Sequence, residues 1–328
     1  MHAWLCENPI GVEALQWREL PTPEPQAGQV RLAIEAASLN FPDLLMVQNK
    51  YQMKPPLPFV PGAEYAGVVE AVGEGVMHLR PGQRVACLSG TGGFGTQAVA
   101  QATLCMPLPP GFPAVDAAAF VMTYATSHHA LIDRAQLKAG ETVLVLGAAG
   151  GVGTAAIQIA KVTGARVVAA ASSAEKCALC TGLGADATLN YGELREPKAL
   201  REAIAAATDG QGADVIYDPV GGELAEPVLR SIAWRGRYLV VGFAAGPIPA
   251  LPWNLLLLKG ASLVGVFWGE FAKREPAANA AMMGELAGMY AAGRIKPVID
   301  QVMPMRELPA AFARMGSREV MGKLVLTN

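Results

Sequence analysis

Two rhythms of apolar and polar positions divide the chain. In roughly the first 115 residues the rhythm has a period of two. Gln29-Val-Arg-Leu-Ala-Ile-Glu35 alternates polar and apolar, which predicts a half-buried strand. Tyr65-Ala-Gly-Val-Val-Glu-Ala-Val72 and Arg84-Val-Ala-Cys-Leu88 are further short apolar runs. Proline and glycine interrupt them throughout, from Pro21-Thr-Pro-Glu-Pro25 to Pro109-Pro110-Gly111. Many short strands with such turns predict a small β-barrel or sandwich.

After Asp116 the rhythm changes. Ala117 to Ala135 reads as helix, and Thr142-Val-Leu-Val-Leu146 is a continuous apolar run suited to a strand buried on both faces. A helix from Val152 to Thr163, a strand Arg166–Ala170 and a helix Glu175–Leu183 follow. Asp214–Asp218 and Arg237–Val241 are later strands, with helices before or between them. This alternation predicts a doubly wound parallel sheet. The last third opens on Ser262-Leu-Val-Gly-Val266, passes through a helix near Ala277 to Ala292, and ends in the strand Lys323-Leu-Val-Leu326.

Composition narrows the function classes. Lys and Arg number 26 against 28 Asp and Glu, so the chain lacks the basic excess of a nucleic-acid or anionic-membrane binder. With 52% hydrophobic residues, disorder is excluded as the dominant state, and 328 residues suffice for two domains without a disulfide or metal staple. The five cysteines are sparse and odd in number, which does not read as a secreted disulfide framework. The first residues show no signal-peptide pattern, and the two long uncharged stretches are broken by Pro and Gly. The expectation is a soluble cytoplasmic protein.

The strongest chemical signal is Leu146-Gly147-Ala148-Ala149-Gly150-Gly151-Val152-Gly153, between a predicted strand and a predicted helix. A dinucleotide-binding turn needs that context. Ala148 takes the place of the first fingerprint glycine. Even so, Gly150 and Gly151 would let backbone approach a pyrophosphate, and Gly153 would let the helix pack close to the strand. At the end of the next strand, Ala171-Ser172-Ser173-Ala174-Glu175-Lys176 places no acid immediately after the strand. Ser172, Ser173 and Lys176 can hold a ribose phosphate, which favours NADPH. In the other reading, Glu175 serves a ribose hydroxyl and Lys176 is an ordinary surface lysine.

With these motifs, the chain resembles the zinc-independent, zeta-crystallin-like NADPH:quinone oxidoreductases of the medium-chain dehydrogenase/reductase superfamily. The resemblance also rests on Ser38-Leu-Asn40-Phe-Pro-Asp43, Pro58-Phe-Val-Pro61-Gly62-Ala-Glu64-Tyr-Ala-Gly67, Leu183-Gly-Ala-Asp186 with Asn190-Tyr191, and Asp218-Pro-Val-Gly221-Gly222. It implies a GroES-like β-barrel catalytic domain (1–122 and 263–328) and a Rossmann NADPH-binding domain (123–262). It also implies a cleft joining the two and a homodimer. Asn40, Tyr51 and Thr126 match residues at the catalytic end. His129 falls where some relatives carry a cofactor-contacting tyrosine, and Tyr191 matches a tyrosine beside the adenosine phosphate. Ala149, Gly150, Gly151, Val152, Gly242, Phe243, Phe267, Trp268 and Gly269 match segments along the cofactor, and Arg318 and Gly322 the C-terminal stretch that returns to it. Val47 and Asn49 replace a basic residue and a glycine of relatives, near the expected cleft mouth.

Ser38 and Ala63 stand where zinc relatives carry a cysteine and a histidine, so no metal site is expected. Cys177-x-x-Cys180 reads as a pair of inert, partly buried thiols and His128-His129 as packing or cofactor contact. Without zinc to hold an alkoxide, conjugate reduction of a quinone or enone is the favoured chemistry. Reduction of an enoyl thioester, or a non-catalytic NADPH-binding role, are the alternatives.

Overall fold

The computed structural model describes residues 1–328. Its elements begin with β1 (His2–Leu5), β2 (Gln16–Glu19), β3 (Gln29–Ser38), α1 (Phe41–Val47), β4 (Glu64–Val72), β5 (Arg84–Leu88), β6 (Gln97–Gln101) and β7 (Cys105–Pro107). Next come α2 (Ala114–His128), β8 (Thr142–Val145), α3 (Gly151–Thr163), β9 (Arg166–Ala171), α4 (Ala174–Gly182), β10 (Ala187–Asn190), α5 (Pro197–Ala207) and β11 (Ala213–Asp218). The remainder is α6 (Ala225–Arg230), β12 (Ile232–Val240), α7 (Asn254–Lys259), β13 (Ser262–Gly265), α8 (Trp268–Arg274), α9 (Pro276–Ala291), β14 (Ile299–Pro304), α10 (Leu308–Gly316) and β15 (Lys323–Thr327). The chain divides into two units, Met1–Met122 with Ile299–Asn328, and Thr123–Val298. No helix is long and apolar enough to cross a membrane.

In the first unit, seven strands form one mixed sheet. Its order is β14-β15-β3-β4-β5-β7, with β6 also paired to β3. The alternation read from Gln29 onward is realised in β3, where Val30, Leu32 and Ile34 turn inward at 4% exposure or less. Both ends of the chain meet here, because β15 pairs antiparallel with β3 through Val325–Ser38 and Leu326–Ala37. Phe94 meets Phe312 edge to face, with centroids 6.0 Å apart, within a core that includes Leu32, Tyr65 and Leu324.

The second unit carries a six-stranded sheet in the order β10-β9-β8-β11-β12-β13, parallel at every pairing. Renumbered from β8, this is the order 3-2-1-4-5-6 of dinucleotide-binding sheets. The central strand β8 buries Val143, Leu144 and Val145 completely, as its continuous apolar run requires. Helix α3 stops where Gly164 adopts φ +84° and takes the left-handed cap.

One boundary differs from the expectation. β13 pairs with β12 in the parallel sheet, and the second unit continues past 262 to Val298. The strand Ser262–Gly265 is short and apolar, so its sequence fits an edge strand of either sheet.

Candidate active site

The chain reverses its direction of winding between β8 and β11, where open parallel sheets bind ligands beyond the carboxyl ends of their strands. Two turns leave the sheet there. After β8, Gly147 turns with φ +55°, and a Cβ at this position would lie 2.8 Å from Val220 of the turn after β11. Gly153 sits tighter still. Its Cβ would fall 2.4 Å from the Gly147 carbonyl oxygen and 2.7 Å from Ala148 Cα, so the first turn of α3 lies directly against the loop backbone. Thr154 donates its N–H to Gly150 at 2.8 Å, which leaves the N–H groups of Gly151, Val152 and Gly153 outside the helix's own ladder. This unspent, partly positive helix end is suited to an anion. Ala148 and Ala149 are buried behind it.

The turn after β11 is held by Asp218. Its Oδ1 accepts N–H bonds from Val220 (2.7 Å) and Gly221 (2.8 Å), while Oδ2 accepts the Tyr238 hydroxyl at 2.5 Å. Gly242 and Phe243 follow β12 against this turn, and a Cβ on Gly221 would meet Phe243 at 2.9 Å. Asp186 does similar work at β9, accepting from Val167 N (2.7 Å) and Lys161 Nζ (2.8 Å).

At the end of β9, Ser172 is exposed and Lys176 Nζ reaches its Oγ at 3.5 Å. Ser173 Oγ accepts the Lys176 backbone N–H at 3.3 Å and caps α4. Tyr191 stands beside them after β10, its N–H bonded to Ala171 O. Ser172, Ser173, Lys176 and Tyr191 therefore gather at one strand end. The paired thiols on α4 are buried and free, and burial pushes the Cys180 thiol up to about 12, as suits an inert pair.

Helix α2 ends in one π-helical turn, His129–Arg134. Ser127 Oγ donates to Val152 O at 2.9 Å and lies 2.9 Å from the Tyr217 hydroxyl, which ties α2 to the start of α3 and to β11. Thr126 is half-buried beside it. The His129 ring stacks on Phe271 at 4.3 Å, with Nδ1 3.0 Å from Asp133; His128 Nε2 lies 3.3 Å from Glu285. Burial pulls both imidazole pKa values down against those carboxylates. Trp268 is 6% exposed and gives its indole N–H to Asn279 on α9, whereas Phe267 next to it is 61% exposed. Gly269 follows on the exposed side of α8.

The first unit holds a separate polar cluster. Asn40 ends the segment after β3, and its backbone N–H donates to Asp43 Oδ2 at 2.8 Å, a capping arrangement at the start of α1. Asp43 Oδ1 accepts Ala63 N–H at 2.9 Å; burial raises this carboxyl to about 7. Glu64 accepts from Ser38 Oγ (2.9 Å), Asn40 Nδ2 (3.0 Å) and Met122 N (2.8 Å). Lys323 Nζ completes the group, 2.6 Å from Asn40 Oδ1. The sequence reading passed over Lys323; its signal was a lone charge opening an apolar terminal strand. Tyr51 is half-buried, and burial and then Asp43 hold its hydroxyl pKa up. Val47 is fully buried in the core of the first unit. Asn49 is exposed at φ +55°, a conformation asparagine tolerates and glycine favours. Arg318, also at positive φ (+61°), is exposed, and Gly322 (φ +92°) precedes Lys323.

A zinc ion needs three or four His, Cys or carboxylate donors. No group of three such side chains lies where it could hold a metal ion, and the cluster around Glu64 contains an ammonium, so the donor set does not fit zinc.

Residues 26–110 match the family model of the alcohol dehydrogenase GroES-like domain, and residues 151–283 that of the zinc-binding dehydrogenases. The chain is 36% identical over 329 residues to a quinone oxidoreductase-like protein 2 homolog of Nematostella vectensis, covering 99% of this chain and 88% of the relative. Its fold is similar to the quinone oxidoreductase of Thermus thermophilus, whose structure is also known in complex with NADPH. There the TM-score is 0.86 at 35% identity, with 100% of each chain covered. It is also similar to the CurK enoyl reductase, with TM-score 0.87, 27% identity and 99% of each chain covered. With its GroES-like domain, its parallel dinucleotide-binding sheet and this similarity along nearly its whole length, the chain belongs to the zinc-independent quinone oxidoreductases of the medium-chain dehydrogenase/reductase superfamily.

Proposed function

We propose that the protein is an NADPH-dependent reductase of quinones or α,β-unsaturated carbonyl compounds. The observation that carries this reading is the β8–α3 turn, where Gly153 lets the helix start pack directly on the loop and the ladder begins only at Thr154, so the N–H groups before it are left for a pyrophosphate. Gly150, Gly151 and Val152 would hold it, with Ala149 behind them. Ser172 and the Lys176 ammonium would hold the ribose phosphate, with Tyr191 alongside. Ser173 contributes by fixing the start of α4. Bound NADPH would supply a hydride to the acceptor.

The chain's own residues orient and exclude water rather than form bonds. Within the second unit, Thr126 and His129 would contact the reacting end of the cofactor, with Gly242, Phe243 and the segment Phe267-Trp268-Gly269 along it; in the first unit, Arg318 and Gly322 are the cofactor contacts that the resemblance implies. Asn40 would donate a hydrogen bond to the acceptor oxygen as it gains negative charge, and Tyr51 would line the acceptor's position. Solvent then protonates the product. The likeness to an enoyl reductase supports a second reading, reduction of an enoyl thioester by the same chemistry.

The exposed edge of β13, with Leu263 and, on α7, Leu257 and Leu258, supports a homodimer. Single-turnover reduction of an aliphatic enone by NADPH carrying deuterium at both hydrogens of the transferring carbon tests the proposal. Label at the β-carbon of a saturated ketone product is expected, whereas product formed without label would overturn it.

A further inference from the structure

We propose that Lys323 is a positioning residue that acts through Asn40, fixing and polarising the amide that faces the acceptor. This rests on the proposed role of Asn40. Lys323 opens β15 at 5% exposure, followed by Leu324, Val325 and Leu326 at 1% or less. A buried ammonium is costly unless its protons are all engaged. Here Nζ donates to Leu39 O at 2.7 Å and to Asn40 Oδ1 at 2.6 Å, and lies 3.5 Å from Glu64 Oε2. Its three N–H groups thus have three acceptors.

The arrangement leaves Asn40 one orientation. An ammonium only donates, so it selects the amide oxygen; a carboxylate only accepts, so Glu64 selects the amide nitrogen, 3.0 Å away. A flipped amide would place N–H against ammonium and oxygen against carboxylate. The backbone is held too, by the Asn40 N–H bond to Asp43. Of the two Nδ2 hydrogens, Glu64 takes one. The cation on the amide oxygen withdraws electron density and strengthens the other as a donor. Such a donor stabilises an acceptor oxygen more as its charge develops, so the effect falls on kcat rather than KM. The groups facing Lys323 are Glu64 and Asp43; burial lowers its pKa and both carboxylates oppose that.

The test compares Lys323→Met and Lys323→Arg with wild type. Lys323→Met is expected to lower kcat about tenfold or more with acceptor KM and NADPH affinity little changed, because it removes a charge-assisted hydrogen bond. Combined with Asn40→Ala, it should lower kcat no further than Asn40→Ala alone. Lys323→Arg should restore much of kcat and move the alkaline limb of its pH profile upward. A folded Lys323→Met with wild-type kcat, or losses that multiply with Asn40→Ala, would overturn the proposal. A second readout needs no turnover: the Asn40 side-chain amide NMR signal, assigned by its loss in Asn40→Ala. It should shift between about pH 9, where Asp43 is already ionised, and about 10.5 in wild type and stay fixed in Lys323→Arg. An unshifted wild-type signal refutes the clamp, even if no acceptor is ever reduced. Absence of turnover alongside a shifting signal refutes only the reductase reading.

Discussion

At the scale of single residues, close packing and buried polar pairs dominate. Gly153 cannot accept a Cβ without moving the backbone of Gly147 and Ala148. Gly153→Ala should therefore cost about 1–3 kcal/mol through overpacking and lower NADPH affinity as the turn is displaced, measurable by denaturation and titration calorimetry. The buried histidines give a pH dependence. Their folded pKa values lie below the ordinary 6.5, so the unfolded chain binds protons first as pH falls. The stability their neutral forms supply is present above pH 6.5 and is lost as pH drops through the folded values. The raised Asp43 carboxyl works in the opposite direction over the same range, so the histidine contribution is read as a difference: from pH 8 to 5 the denaturant midpoint of wild type should fall relative to that of His128→Gln. An unchanged slope in the variant would count against the assignment.

At the scale of elements, the start of α4 separates two tasks that adjacent residues share. Ser173→Ala removes a helix cap and should cost about 1 kcal/mol of stability with the NADPH-to-NADH preference intact. Lys176→Ala should do the reverse, weakening NADPH by roughly 10- to 100-fold while NADH binding holds, as loss of a hydrogen bond between charged groups predicts. Parallel binding titrations of the two variants read both outcomes. The unit β8–α3–β9 was legible from sequence because each part is local: an apolar run, a glycine turn and a second apolar run within thirty or so residues. The cluster around Glu64 was not. Lys323 and Asn40 stand 283 positions apart, and nothing in either neighbourhood announces a partner. Glu64 and Asp43 were legible only as an incomplete metal set; their real partners are an ammonium, a serine and backbone N–H groups.

At the scale of the molecule, both chain ends build the first unit, as the β3–β15 pairing shows, while the second unit extends further along the chain than its sequence suggested. That difference has a simple cause. Four apolar residues do not say which sheet they will join, and only pairing with β12 decides it. Trp253 and Leu257 are each 81% exposed near that edge. Sedimentation should find a dimer of the 34.2 kDa chain, and replacing both residues by glutamate should yield folded monomer. A wild-type monomer would refute this interface.

The most direct test of the central claim is oxidation of NADPH and NADH, in parallel, with 1,4-benzoquinone, 9,10-phenanthrenequinone, an aliphatic enone and crotonyl-CoA. Saturable turnover of the quinones or the enone, with NADPH strongly preferred, is the predicted result. Preference for NADH would contradict the phosphate-binding assignment at Lys176, turnover of crotonyl-CoA alone would replace the acceptor class, and tight NADPH binding with no acceptor consumed would contradict the reductase itself.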